Sequence, residues 1–160
     1  MEKSKSKNLP KTKTILIFVT IAFVVFLISF FVNKRKLLPK EVKAVINDYN
    51  YYLEVAKTSK QREIGLSNRQ SLCSNCGMLF VFPRQKIHTF WMKDTYIPLD
   101  MIWLDKNFKV VKIATVLETN SEKLYANKIK AKYVIELNAN EVFKRDLKIG
   151  DTIQFPDFNE

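Results

Sequence analysis

Histidine, cysteine and glycine are scarce in this chain of 160 residues, and their scarcity removes several kinds of active site. His88 is the only histidine, so a zinc centre would have to recruit both cysteines and a carboxylate as well. Soft copper ligands are present, but no compact spacing gathers them. No glycine-rich phosphate loop, nucleophile elbow or Cys–His dyad with a suitable context is present. We therefore expect no metal and no cofactor.

Acidic residues are almost missing from the N-terminal quarter, which accounts for most of the net charge of +11. Residues 1–40 contain nine Lys and Arg against Glu2 alone, whereas residues 41–160 contain eighteen against fifteen Asp and Glu. No basic run with interleaved aromatic residues, the pattern typical of nucleic-acid binding, stands out in residues 41–160. We therefore expect no nucleic-acid partner.

Residues 15–32 contain no charged side chain over eighteen positions. As a helix this stretch would span about 27 Å, close to the thickness of the hydrocarbon core of a bilayer. The residues after it offer neither the small side chains of a signal-peptide cleavage site nor a cysteine for lipid attachment. The pattern predicts an uncleaved transmembrane anchor at residues 15–32, which follows a basic tail at residues 1–14 and makes the membrane a partner.

The orientation of this anchor depends on the basic residues at its two ends. Five lysines precede the apolar stretch and four Lys and Arg follow it, so the positive-inside rule barely separates the two orientations. The short basic tail resembles the first region of a signal peptide, which favours a cytoplasmic N-terminus. We expect a single-pass protein of the cell membrane with its C-terminal domain outside the cytoplasm.

The remaining chain is rich in short strand patterns. We interpret residues 33–50 as a linker and residues 51–156 as one domain. Thr58 and Gln61 form a capping-box pattern, which predicts a short helix beginning there. We expect a mainly β (α+β) fold, a small closed barrel or sandwich of short strands with one short helix. Strands are predicted at residues 51–57, 78–82, 89–92, 99–105, 109–118, 132–138 and 151–155.

The three glycines are each expected at a position where a Cβ would not fit or where φ is positive. They are Gly65, Gly77 and Gly150.

Five segments carry a resemblance to a known family. They read EVAKTSKQREIGLSNR, GMLFVF, FWMKDTYIPLDMIWLD, VIELNANEV and IGDTIQF, and in this order they resemble the DUF192 family, also called UPF0127. The resemblance covers residues 51–156 and implies a small, largely β fold, but no activity is assigned to the family. This chain departs from the family pattern at Ser67, where methionine is usual, and at Asn140, where glycine is usual. The turn at residues 105–107 lacks the common Asp-Gly, but Asn tolerates a left-handed backbone, so both turns are expected to persist.

Two carboxylates lie in strongly apolar strand patterns. Asp100 has apolar neighbours on both faces of its strand, and Glu136 lies in the similar pattern YVIELN. A buried carboxylate needs hydrogen bonds or a cation, and the candidate cations are Lys93, Arg62 and Arg69. These residues could form a structural network, a ligand pocket or a catalytic acid/base pair. The candidate binding residues are Arg62, Arg69, Trp91, Lys93, Asp100 and Glu136, with Trp91 suited to a sugar or peptide if it is exposed.

Cys73 and Cys76 form a CxxC that is not part of the usual family pattern. Outside the cytoplasm they should be oxidised to each other, because thiols rarely persist there. The pair could act as a local staple before the GMLFVF strand. A redox-active pair and two free thiols are the alternatives, although no helix clearly starts at Cys73 to lower its pKa.

Three functions are compatible with these features. The first is a membrane-anchored extracytoplasmic binding or accessory module for an envelope component, with a glycan or protein ligand. The second is an envelope enzyme that uses Asp100 and Glu136 as acid and base. The third is a thiol–disulfide module that uses Cys73 and Cys76. Convergence of the two carboxylates on an open cleft would favour the enzyme, whereas carboxylates sealed under other side chains would favour the binding module.

Overall fold

The computed structural model describes residues 11–37, 41–126 and 128–158 and divides the chain into one unit up to Leu38 and a second from Pro39. The first unit contains one helix, α1 (Lys11–Leu37), which extends beyond the predicted residues 15–32 at both ends. Residues 1–10 of the predicted basic tail lie outside the described residues. Within the described residues, no helix has both the length and the hydropathy needed to cross a membrane.

The elements of the second unit are β1 (Glu41–Ile46), β2 (Tyr49–Ala56), α2 (Ser59–Ile64), β3 (Cys76–Lys86), β4 (Thr89–Phe90), β5 (Leu99–Leu104), β6 (Val110–Val116), β7 (Tyr125–Ala126), β8 (Ala131–Asn138) and α3 (Glu141–Lys144). Six of these strands form one sheet with the order β1-β2-β3-β8-β5-β6. Neighbouring strands are antiparallel except β2 and β3, which are parallel and joined by a crossover that contains helix α2. Strands β4 and β7 form a separate two-stranded sheet. The prediction of a mainly β fold is confirmed, but two short helices, α2 and α3, are present where one was predicted.

The main sheet is open, with β1 and β6 as its edges. The C-terminal segment, where a strand was predicted at residues 151–155, makes only isolated bridges. These join Gln154 to Val45 of β1 and Thr152 to Lys109 just before β6. The prediction of a closed barrel is therefore wrong for the described residues, because single-residue bridges replace the continuous ladder that closure needs. A sandwich is not formed either, since the second sheet has strands of only two residues.

The predicted linker at residues 33–50 ends earlier than expected. Residues 41–46 form β1, and a tight turn with φ of 43° at Asn47 and 65° at Asp48 leads into β2. Positive φ at both central residues is typical of a two-residue hairpin. Charged residues on the outer face of β1 made it resemble a polar tether, but its inner face is buried. The buried side chains are Val42, Ala44 and Ile46.

Helix α2 begins where the capping box predicted it. The Oγ1 atom of Thr58 accepts a hydrogen bond from the Gln61 backbone N–H at 3.2 Å, and the Gln61 side chain accepts one from the Thr58 N–H at 2.9 Å. The helix ends at Gly65, where φ is 52°. The two caps fix the start and the end of a single short turn of helix, which positions Arg62 beside the sheet.

Gly77 lies at the closest approach of β3 to β8. A Cβ at this position would lie 2.5 Å from the backbone oxygen of Glu136, so only glycine fits without a shift of the backbone. Gly65 and Gly150 have positive φ instead. The expectation for the three glycines is confirmed.

Both faces of the main sheet are covered, and they form two separate cores. One face packs against Val142 and Leu147 and is called the α3 face. The other packs against Leu66, just after α2, and is called the α2 face. Alternation along β8 assigns its side chains to the two faces in turn, because successive residues of a strand point in opposite directions. In β8, Tyr133, Ile135 and Leu137 belong to the α3 face and Val134 to the α2 face.

Candidate functional site

The two carboxylates predicted from sequence lie on opposite faces of the main sheet. Asp100 is opposite Leu137 in the β5–β8 ladder, and Glu136 is opposite Met101. Because directly opposite residues share a face, Asp100 belongs to the α3 face and Glu136 to the α2 face. The sheet separates the two groups, so they cannot act on one substrate as an acid/base pair.

Asp100 is fully buried and holds helix α3 to the sheet. Its Oδ1 accepts a hydrogen bond from the Thr115 hydroxyl at 2.6 Å, and its Oδ2 accepts one from the backbone N–H of Val142 at 2.8 Å. The prediction that Asp100 pairs with a cation is therefore wrong, because two neutral donors bind its carboxylate instead. The role of Asp100 is that of a structural acceptor at the start of α3.

The three candidate cations are used in different places. Arg69 forms a two-pronged ion pair with Glu54, and Lys93 pairs with Glu122 at 3.1 Å. Arg62 donates its hydrogen bonds to backbone carbonyls and a hydroxyl. The structure therefore does not gather these cations around Asp100.

An open pocket of about 320 Å³ lies on the α2 face. Helix α2 and the turn after it form one wall, aromatic residues of β3 and β4 form another, and Glu136 contributes from β8. Trp91 lies at the pocket with 44% of its surface exposed. Three of the six candidates from the sequence thus line the same pocket, namely Arg62, Trp91 and Glu136.

Glu136 is the unusual group in this pocket, because the residue is almost fully buried and its carboxyl lines the open pocket without a protein partner among the described residues. Its residue exposure is 5%, and within the described part of the chain the side chain has no hydrogen bond or ion pair. The residues opposite it on β3 and β5 are Met78 and Met101. Burial raises the pKa of Glu136 from its ordinary 4.5 to about 8. The carboxyl is therefore largely protonated at pH 7 and can donate a hydrogen bond.

Arg62 contributes a positive charge to the same pocket. Its Nη1 donates to the backbone oxygens of Lys57 at 2.6 Å and Val81 at 2.9 Å, and its Nη2 donates to Ser59 Oγ at 3.3 Å. The guanidinium carbon lies 5.1 Å from the ring centroid of Phe82. Among the described residues no carboxylate forms an ion pair with Arg62, so its charge is not compensated there.

A second open pocket of about 400 Å³ adjoins the first. The two share Glu63, Ile64, Ser67 and Trp91 as lining residues. Lys93 lines the second pocket, and its Nζ lies 5.6 Å from the ring centroid of Trp91. The shared walls make the two pockets neighbouring parts of one groove along α2.

The aromatic wall of the first pocket was not predicted from the sequence. Phe82 stacks on His88 with ring centroids 3.5 Å apart, and Phe90 meets Phe80 edge to face at 5.2 Å. Burial lowers the pKa of His88, which favours a neutral ring. The alternation of Phe80 and Phe82 along β3 indicates that the two rings lie on the same face of the sheet. That Glu136 lies on this face as well follows only from the β3–β8 register.

Cys73 and Cys76 are joined by a disulfide whose Cα atoms are 5.1 Å apart. Cys76 begins β3, and no helix begins at Cys73. The Asn138 side chain donates to the backbone oxygen of Cys73 at 2.9 Å, which ties this loop to β8. In the residues that the structure describes, no three His, Cys, Asp or Glu side chains gather in a way that could hold a metal ion. The absence of a metal cofactor stays a prediction.

Comparisons with known proteins give the family. The chain is similar to a protein from Sinorhizobium meliloti 1021, proposed to be a transcription regulator, whose crystal structure is known. The sequence identity is 28% and the TM-score is 0.70, and the match covers 74% of this chain and 96% of that chain. A protein of unknown function from Novosphingobium aromaticivorans DSM 12444 is 27% identical and has a TM-score of 0.65, with 72% and 84% covered. No curated protein matches the chain. The sequence model of DUF192, described as an uncharacterised ACR, matches residues 42–155, so the chain belongs to the DUF192 family.

Proposed function

We propose that this protein is a binding module whose ligand occupies the pocket on the α2 face. The observation that carries the proposal is the buried carboxyl of Glu136, which lines an open pocket and has no partner among the described residues. A buried polar group without a partner costs free energy, and a ligand that pairs with it recovers that cost. Apolar walls with a few polar groups are typical of small-molecule sites.

Binding explains the pocket better than catalysis does. The acid/base pair expected from the sequence is divided by the sheet, because Asp100 lies across it from Glu136. The other charged groups that line the pocket are Arg62, which stays protonated, and Glu63, which is exposed to solvent. The thiol–disulfide alternative gains no support from the helix N-terminus that usually activates such a cysteine, because no helix begins at Cys73.

Filling the pocket should abolish ligand-induced stabilisation. Thr89 lines the pocket and is exposed, so Thr89→Trp would occupy the site. Thr152→Trp is the matched control, because Thr152 is also exposed but does not line the pocket. Sugars, peptides and small acids would be screened by thermal unfolding of the full chain. A ligand at 100 times its Kd adds about 2.7 kcal/mol, or several degrees in Tm.

The expected result is a Tm increase for wild type and Thr152→Trp that disappears in Thr89→Trp. Compounds that stabilise all three proteins equally, or a screen in which none of them is stabilised, would contradict binding at this pocket.

We further propose that the uncharged run at residues 15–32 anchors this module in a membrane, with residues 41–160 outside the cytoplasm. The support is the uncharged run at residues 15–32 and the exposed apolar side chains around α1, such as Phe18 and Phe23. A helix that is apolar on all sides is typical of a buried or membrane-embedded helix. The bond between Cys73 and Cys76 is compatible with an oxidising compartment.

The redox state in the native membrane tests this location. Protein taken from its own membrane would be treated with an alkylating agent before reduction and then analysed by mass spectrometry. We expect Cys73 and Cys76 to escape alkylation, and we expect protease added outside permeable cells to digest residues 41–160. Two alkylated cysteines together with a protected domain would place it in the cytoplasm.

A further inference from the structure

We infer that the ligand of the pocket carries a carboxylate, which pairs with Arg62 and accepts a hydrogen bond from the Glu136 carboxyl. This inference rests on the proposed function and specifies its ligand class. The ligand is a carbon-based acid with an apolar or aromatic body, because the wall of the pocket includes Phe80, Phe82 and Phe90.

The hydrogen bonds of Arg62 leave one edge of the guanidinium open. Both Nη1 hydrogens have backbone acceptors, at Lys57 and Val81, and Nη2 has one acceptor at Ser59. The Nε hydrogen and one Nη2 hydrogen therefore have no partner among the described residues. Nε and Nη2 lie along one edge of the guanidinium, and a carboxylate that binds along this edge accepts hydrogen bonds from both of them. The contacts to Lys57 and Val81 hold the side chain in place, so little ordering is needed when an acid binds.

The charges around Glu136 favour an anion over a cation. The residues opposite it on β3 and β5 are methionines, and the groove wall from α2 supplies Arg62 and Glu63. Thr89 and Thr95 from the other wall carry no charge, and His88 lies behind Phe82 with a lowered pKa. With Glu136 protonated, Arg62 and Glu63 are the charged groups that line the pocket, and Arg62 forms no ion pair among the described residues. At Arg62 a cationic ligand would meet repulsion, whereas an acid finds two N–H donors and the protonated carboxyl of Glu136.

The aromatic walls favour the binding of a carbon-based acid over that of a compact inorganic anion. A small multiply charged anion would lose its hydration against Phe82 and Phe90 and find too few donors in return. An acid with a ring would bury that ring against them instead. Such a carboxylate could belong to a free small acid or to the C-terminus of a peptide, whose remaining residues would lie in the adjoining pocket beside Trp91.

Matched probes test the charge without any mutation. Phenylacetate, phenylacetamide and phenethylamine share a ring and differ in charge, and N-acetylphenylalanine and its amide represent a peptide C-terminus. Ligand-observed NMR with the full chain in mild detergent would give each Kd between pH 6 and pH 9. We expect each acid to bind at least tenfold more tightly than its amide at pH 6. The acids stay ionised in this range, so their affinity should fall as pH passes 8 and Glu136 loses its proton.

Variants identify the groups responsible. Arg62→Lys keeps the charge but removes the two N–H donors of the guanidinium edge, and should weaken the binding of the acids at least fivefold with little change for the amides. Glu136→Gln should remove the pH dependence, so that the ratio of Kd values at pH 6 and pH 9 approaches one. Tighter binding of N-acetylphenylalanine than of phenylacetate would assign the site to a peptide terminus, and the reverse order to a free acid.

Two results would overturn the inference in distinguishable ways. If the amides or the amine bind as tightly as the acids, and Thr89→Trp abolishes this binding, the requirement for a carboxylate is refuted but the binding pocket is not. Binding of all probes that Thr89→Trp does not affect would refute the carboxylate and the pocket together.

Discussion

Glu136→Gln is expected to be more stable than wild type at pH 9 by several kcal/mol and to lose this advantage at acidic pH. In the folded protein burial raises the pKa of Glu136 from 4.5 to about 8. Below pH 4.5 the carboxyl is protonated in both the folded and the unfolded chain. Between pH 4.5 and pH 8 only the unfolded chain loses the proton, so the free energy of unfolding falls as pH rises. Above pH 8 both states are ionised and the loss is complete.

The slope of the free energy of unfolding against pH shows whether a single carboxyl is responsible. One carboxyl that binds a proton only in the folded state changes the stability by up to about 1.4 kcal/mol per pH unit. Urea unfolding of wild type and Glu136→Gln at intervals from pH 4 to pH 9 gives this slope as a difference, which removes the contribution of other groups. Glu122→Gln is a suitable control, because the Glu122 side chain is 75% exposed. If the free energy of unfolding depends on pH in the same way in wild type and Glu136→Gln, the pKa of Glu136 is not raised in the folded protein.

Asp100→Ala should lower the free energy of unfolding by about 3 kcal/mol. The substitution removes two hydrogen bonds and leaves the Thr115 hydroxyl and the Val142 N–H without their acceptor. The Val142 bond fastens the first turn of α3, so amide exchange at residues 141–145 should accelerate more than at β8. The expected loss comes from these unmet donors, since Asp100 forms no ion pair with any of the described residues.

Thr115→Val separates the two bonds of Asp100. It keeps the shape of the side chain and removes only the hydroxyl donor, so it should cost about 1–2 kcal/mol and leave exchange in α3 nearly unchanged. A loss below about 1 kcal/mol for Asp100→Ala, with unchanged exchange at Val142, would show that Asp100 does not hold α3.

Local patterns predicted the parts of the fold that local forces determine. The capping box of Thr58 and Gln61 gave the start of α2, and short β-branched or aromatic runs between turn residues gave most strands. Strand β1 was missed because its outer face is charged, so its short alternation resembled a tether. The turn at Asn140 persists with φ of 72°, as expected. In the turn after β5 the left-handed residue is Phe108, with φ of 61°, instead of Asn107, because its ring packs on Tyr133 and Phe155.

The candidate site depended on information that local patterns do not contain. The apolar setting of Asp100 and Glu136 indicated burial, and both are buried. Their position on opposite faces follows from the β5–β8 register, in which Glu136 meets Met101 and Asp100 meets Leu137. Register is set by long-range pairing, and a shift of one residue exchanges the two faces. The pocket depends on the crossover of α2, which brings Arg62 next to β3.

The titration of Glu136 itself shows whether its carboxyl stays protonated in the folded protein. Carbon-13 NMR of the glutamate side-chain carboxyls, in the full chain labelled at this position and assigned with Glu136→Gln, reports the protonation of each group. The account predicts one resonance that titrates near pH 8, is missing in Glu136→Gln and shifts when an acid binds in the pocket. A Glu136 resonance that titrates near pH 4.5 would show a carboxyl that is solvated or paired, and would contradict the account.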